Sequence, residues 1–153
     1  MTSSYNDVYS RFMNKIRDYE FANLDEPNMT AQMLDWLRSA ISHPYIYRIF
    51  ASFSADDELA TMEYVLINSA DEYADKNFVE ELLGNALVLE WVTPKVQTTT
   101  LINQMVTNSK EQRFFSQQQH LAQLRELKAD TEHKIRSMLR DKGYIYNSYL
   151  SNK

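Results

Sequence analysis

From Leu82 to Val92 the chain reads Leu-Leu-Gly-Asn-Ala-Leu-Val-Leu-Glu-Trp-Val, its most apolar run, and no other stretch narrows the choice of fold as much. Phe78, Leu82, Ala86 and Leu89 recur at helical spacing, and Leu83, Leu87 and Trp91 form a second seam beside them. A helix that is apolar around most of its circumference is buried on several sides. Glu80, Glu81 and Glu90 interrupt the run, which holds too few apolar residues in a row to span a bilayer. The expectation is the central helix of a bundle, with no membrane partner. Asp75 and Asn77 are polar candidates for its start, and Thr93-Pro94 marks an end or a kink. Glu90, beside Trp91, reads as an acid on the helix rim, with a buried acid as the alternative.

The remaining composition points the same way. Two glycines and three prolines in 153 residues leave little material for tight turns or a phosphate-cradling loop. Long stretches rich in Leu, Met, Gln, Glu, Lys and Arg favour an all-α protein of one domain. With no cysteine there is no disulfide and no thiolate metal site. The first residues, Met-Thr-Ser-Ser-Tyr-Asn-Asp, carry neither a basic nor an apolar signal region, so no secretory signal is expected. Charge is uneven: residues 1–109 hold 7 Lys+Arg against 16 Asp+Glu, and residues 110–153 hold 9 against 5. Two solvated helix faces would give this pattern, as would an acidic end and a basic end suited to head-to-tail association. An acidic chain without a dense basic cluster is a poor reader of nucleic acid.

Along the chain, Ser4 and Asp7 form a weak capping box, after which Val8, Phe12, Ile16 and Tyr19 give one apolar face running to about Asp18. Arg11, Lys15 and Arg17 lie off that face. Phe21 and Leu24, in the connector, are expected to tuck under the bundle edge. A second helix from Met29-Thr30 carries Met33, Leu34, Leu37, Ala40 and Ile41 on one side, with Trp36 on the flank, and His43-Pro44 ends it. His43 suits the helix dipole there better than a metal. Tyr45–Phe53 and Thr61–Ile67 read as extended segments able to pair as a short hairpin. Between them, Asp56-Asp57-Glu58 lacks the glycine of a calcium loop, so it reads as solvated carboxylates or as acids meeting a basic neighbour. After Pro94 a helix restarts from Lys95 to Val106, weakened by Thr98-Thr99-Thr100, and Thr107-Asn108-Ser109 breaks it. The longest helix begins at Phe115-Ser116, with Ser116 and Gln119 as capping box. Leu121, Leu124, Leu127 or Lys128, Thr131, Ile135 and Met138 form its narrow seam, and Gly143 is its C′ residue. The tail from Tyr144 is aromatic. It either folds back on the core or docks on a partner as an arm through Tyr144, Ile145, Tyr146, Tyr149 and Leu150.

The fold expected is therefore a small all-α helical bundle. It has a central buried helix, a long C-terminal helix, a short β-hairpin and an extended arm, divided as a helical domain over 1–143 and the arm over 144–153. The chemistry-bearing patterns are missing. There is no nucleophile elbow, phosphate loop, dinucleotide fingerprint or His-Glu-x-x-His. His43, His120 and His133 fall in separate segments, and Glu80 and Glu81, adjacent on a helix, diverge. No enzyme, cofactor or metal is expected.

Several segments in order resemble the small helical head–tail connector proteins of tailed phages infecting Gram-positive bacteria. They are Tyr9-x-x-Phe12-x-x-Lys15-Ile16-x-Asp18-Tyr19-x-Phe21-x-x-Leu24, Leu37-x-Ser39-Ala40-Ile41, Asp56-Asp57-Glu58-Leu59 and Glu90-Trp91-x-x-Pro94. Ser109-Lys110-Glu111 and Phe115-Ser116 then lead to His120-Leu121, and Tyr144-x-Tyr146 ends the pattern. The resemblance implies a structural virion protein, made in the host cytoplasm and placed in the neck between head and tail. There it would assemble as a homo-oligomeric, twelve-fold ring beneath the portal protein. Such a ring extends the DNA channel, letting DNA pass without sequence-specific binding, and gives a tail completion or second connector protein a docking surface. In that setting the C-terminal arm reaches the portal, and an acidic channel wall would repel the passing phosphates. The alternative is a non-enzymatic helical regulatory or nucleic-acid-binding protein that uses Arg125, Lys128, Arg136 and Arg140.

Overall fold

The structure, a computed structural model, describes residues 1–16, 21, 23–105 and 111–144. Its elements are β1 (Thr2–Ser4), α1 (Tyr5–Met13), α2 (Glu26–Ser42), the single turn α3 (Pro44–Tyr47), β2 (Phe50–Asp56), β3 (Thr61–Leu66), α4 (Glu72–Met105) and α5 (Glu111–Tyr144). Helix dominates, but the all-α expectation is wrong. The fold is an α+β mix, with a three-stranded antiparallel sheet in the order β1-β3-β2. The hairpin of β2 and β3 forms from the two extended segments. What the bundle reading lacked is β1, whose three residues pair with β3 from Thr2↔Glu63 to Ser4↔Thr61. A strand this short has no periodicity of its own and exists because β3 offers an unpaired edge. Alternation along β3 is strict: Met62, Tyr64 and Leu66 are buried while Glu63 and Val65 face out.

α4 is the element on which the others pack. It contacts α1, α2, α5 and β1. Val79, Leu82, Leu83, Leu87 and Val92 are fully buried along it, as expected of a helix apolar all round. It starts earlier than the sequence suggests. Asp71 caps it, its Oδ2 accepting from the Ala74 N–H at 3.1 Å. It also runs straight through Pro94 to Met105 rather than ending and restarting. Proline removes one helical hydrogen bond, but buried Leu87, Val88, Trp91 and Val92 hold the turns before it, so packing overrides local preference. Two of the three threonines that weakened the expectation bond back to the helix, as Thr93 does. Thr93, Thr99 and Thr100 donate to the Leu89, Lys95 and Val96 carbonyls at 2.7, 2.8 and 2.8 Å.

α1 lies against α4 where Gly84 has no side chain. A Cβ there would come within 3.0 Å of the Arg11 Cβ and 3.5 Å of the Phe12 nitrogen, so glycine permits the close approach. Ser4 is the expected N-cap, accepting from the Asn6 N–H at 3.2 Å. The helix ends at Met13 rather than near Asp18. Ile16 still reaches the core from the following turn, which is why the apolar spacing outruns the helix. Tyr19 and Arg17 lie outside the described residues. Phe21 is buried and meets Phe12 and Trp36 edge-on or tilted, whereas Leu24 is exposed rather than tucked in. α2 begins one turn before Met29, because Pro27 is tolerated in a first turn. Pro44 likewise opens α3, so the extended segment starts at Phe50 and not at Tyr45.

α5 and α4 form the most extensive contact in the fold. Each has 34 residues and is about 50 Å long at 1.5 Å per residue. α5 begins at Glu111, so Ser116 is not its cap, and Gly143 lies in its last turn rather than beyond it. The seam is as read: Leu121, Leu124, Thr131 and Ile135 are buried, Leu127 and Met138 pack against the core, and Leu139 adds a further buried position.

Candidate interaction surface

The charged residues sort into three clusters along α4, the hairpin tip and a groove. The first cluster joins α1 to α4. Glu80 is almost wholly buried, and its Oε2 accepts from Arg11 Nη2 at 2.9 Å and Nε at 3.3 Å. Ser3 Oγ donates to Glu80 Oε1 at 3.0 Å, tying β1 to the same acid. Glu81 accepts from Lys15 at 2.9 Å and from Lys134 of α5 at 3.0 Å, and lies 3.7 Å from Arg11. The two acids therefore converge on Arg11, contrary to the expectation that neighbours on a helix diverge, because α1 crosses close enough over Gly84 to reach both. Arg11 on α1 and Lys15 in the turn after it, four apart and facing Glu80 and Glu81, were the available sequence signal. Burial raises the Glu81 carboxyl, but the hydrogen bonds from Lys15, Lys134 and Asn85 outweigh it and bring it down to about 2. Its folded value is below its unfolded one, so its stabilisation is present above about pH 4.5 and is lost as pH falls toward 2. Urea denaturation of wild type and Glu81→Gln should therefore differ by on the order of 2 kcal/mol near neutrality and converge in acid.

The second cluster joins α4 to the end of α5. Asp75 is fully buried and paired with Lys142. It also accepts from Ser69 Oγ at 2.7 Å and from the Ala70 N–H at 3.0 Å. Burial pushes the Asp75 carboxyl up, and the bonds from Lys142, Ser69 and Ala70 more than reverse this, leaving it below the usual range. Asp75 was expected only as a helix start. Nothing in the sequence couples it to a lysine 67 positions away.

The third cluster places Ser39, His43 and Glu90 together. His43 Nε2 lies 2.7 Å from Glu90 Oε1, and Ser39 Oγ donates to Glu90 Oε2 at 2.9 Å. Tyr45 stacks on the imidazole with ring centroids 5.1 Å apart. The residue types suggest a hydrolytic triad, but the order is wrong. The acid lies between serine and histidine, so the imidazole has no contact through which to take the hydroxyl proton. The group instead clamps the end of α2 to α4. Glu90 is half-buried, between the rim and the buried reading, and His43, at the end of α2, meets it through its ring. His120 and His133 are exposed on α5.

At the hairpin tip, Asp57 meets basic Arg38 at 2.6 Å and accepts from the Tyr5 hydroxyl at 2.7 Å, which hold its carboxyl below the usual range. Asp56 Oδ1 accepts from the Glu58 and Leu59 N–H groups at 3.0 Å each. Leu59, next to them, is 72% exposed.

The groove lies at the other end of the hairpin, between α3, α4 and α5, with a volume of about 590 Å³. Leu89, Ile135 and Leu139 line it with apolar surface, and Tyr45, Arg48, Arg136 and Arg140 also border it, together with Glu132. Arg140 is 3.4 Å from Asp141, whereas Arg48 and Arg136 make no ion pair among the described residues. A second hollow of about 230 Å³ shares Arg48 and Leu139 and continues toward Ile49, Ile67 and Lys142.

Of the expected arm, Tyr144 closes α5, and Ile145, Tyr146, Tyr149 and Leu150 lie outside the described residues. Arg125 reaches Thr100 at 3.4 Å, and Lys128 lies 4.0 Å from Glu132 at the border of the groove. Among the described residues no group of three or more His, Asp and Glu side chains is placed to hold a metal, and no helix is long and apolar enough to cross a membrane. No family model, curated protein or solved structure matches the chain.

Proposed function

We propose that this chain is a structural virion protein, a head–tail connector that assembles as a ring, joins the portal to the tail and extends the DNA channel. The observation that carries the reading is the polarity of the surface. An acidic tip with an exposed leucine stands at one end of the hairpin, and at the other stands an apolar groove bordered by Arg48 and Arg136, which make no ion pair among the described residues. Such a surface suits contact with other protein, and the sequence segments that resemble connectors support this kind of partner. The buried Lys142–Asp75 pair fixes the last described turn of α5. In the neck, the C-terminal arm contacts the portal, and the opposite face of the ring receives a tail completion or second connector protein.

Deletion of Tyr144–Lys153 tests the arm. Lys142 remains, so the helical circular dichroism should be unchanged while binding to the portal is lost. A truncated protein that binds portal as well as the full chain would remove the arm from the account.

A further inference from the structure

Resting on the ring reading, we propose that the hairpin tip of one copy, with Leu59 as its knob, docks in the Arg48–Arg136 groove of the next copy. Four observations support it. First, the tip offers an apolar side chain with carboxylates that can be shared: Leu59 is 72% exposed, and Glu58 and Asp56 are exposed and carry no ion pair among the described residues. Asp57 is not counted, because Arg38 already neutralises it. Second, the groove offers the complement. Leu89, Ile135 and Leu139 give it apolar surface for a leucine, and Arg48 and Arg136 are exposed guanidinium groups without a partner among the described residues. Matching signs across a contact fix its register and exclude like-charged surfaces. Third, the tip is held ready. Asp56 ties down the Glu58 and Leu59 backbone, and the Tyr5 N–H donates to the Ala60 carbonyl at 2.9 Å. Little ordering is left for docking to cost.

The fourth observation is position. β2 and β3 pair from Phe50↔Leu66 beside the groove to Asp56↔Thr61 at the tip. At 3.3 Å per residue the ends of this hairpin are about 20 Å apart, so a tip cannot enter the groove of its own chain. The contact joins two different patches, so it is head-to-tail, the kind that closes into a ring when the rotation between copies permits. Partner contact is thereby assigned to residues from both the acidic and the basic part of the chain.

The chain has no cysteine, so single cysteines report the contact directly. Full-length Ala55→Cys and Arg140→Cys proteins, altered at exposed positions on the hairpin and at the groove border so that Leu59, Arg48 and Arg136 stay in place, are mixed and treated with a short bis-maleimide. The expected result is a heterodimer several-fold more abundant than either homodimer, lost at about 1 M salt, where charges are screened beyond about 3 Å. Adding Arg48→Glu to the groove protein should abolish it, and adding Glu58→Lys to the tip protein should restore it. A heterodimer no more abundant than the homodimers, or one indifferent to these reversals, overturns the proposal. So does preferential linkage of the groove cysteine to a Leu150→Cys protein, which would make the tail the occupant. Native mass spectrometry of the same wild-type stock separates the two claims. Rings without the tip–groove link would sink this contact alone, and monomers without it would sink the ring as well.

Discussion

Replacing Lys142 by methionine should lower stability by about 3–5 kcal/mol, a large share of the total for a domain of this size. The substitution leaves the Asp75 carboxylate fully buried with only Ser69 Oγ and the Ala70 N–H as partners. A buried charge without its counter-ion is among the most costly defects a core can hold. It also removes the ammonium that lies 5.2 Å from the Phe78 ring. Adding Asp75→Asn to the same protein should recover much of the loss, since the amide oxygen can still accept from Ser69 while the charge is gone. The carboxyl of the single variant should rise well above its wild-type position, so its deficit should shrink as pH falls and Asp75 takes a proton. Urea denaturation of the single and double variants at two pH values measures each term. A deficit below about 1 kcal/mol at neutral pH would mean that the pair is solvated rather than buried.

The second large effect is expected at Phe12. Its ring is wholly buried, 5.5 Å from Trp36 and 6.0 Å from Phe21, and it anchors α1 beside the Gly84 approach. Phe12→Ala removes the ring from a site that cannot collapse, because α1 is held by the Arg11–Glu80 pair and the turn just after it by the Lys15–Glu81 pair. The loss should be about 3–5 kcal/mol, or a fall in melting temperature of roughly 10 °C. Phe12→Leu should cost much less. Equal losses for the two would show that the ring contacts, rather than the filled volume, hold α1 in place.

Sequence makes some of this visible and hides the rest for definite reasons. The central helix is legible because Phe78 to Val92 is periodic over several turns, and the hairpin because Tyr45–Phe53 and Thr61–Ile67 are aromatic and β-branched around an acidic turn. The Ser4 cap and the break at His43-Pro44 are local chemistry, and both are read correctly. β1 is hidden because a three-residue strand carries no pattern, and that omission turned an α+β fold into an all-α expectation. Pro94 misled because its local preference is real but smaller than the burial of the turns before it. Asp75 with Lys142, and Ser39 with His43 and Glu90, are partnerships across long sequence separations, and single residues carry no sign of them. The groove is hidden for the same reason. Tyr45, Leu89 and Ile135 come from three elements, and only the crossing of α4 and α5 beside α3 brings them together. The uneven charge along the chain hinted at an acidic and a basic end, without saying that an apolar floor lay beneath the arginines.

The central claim, a ring that binds the portal, is tested most directly by native mass spectrometry of the purified full-length protein, alone and mixed with its candidate portal. The account predicts closed homo-oligomers or a defined complex with the portal. A monomer at every concentration that ignores the portal would contradict it and return the weight to a regulatory helical protein.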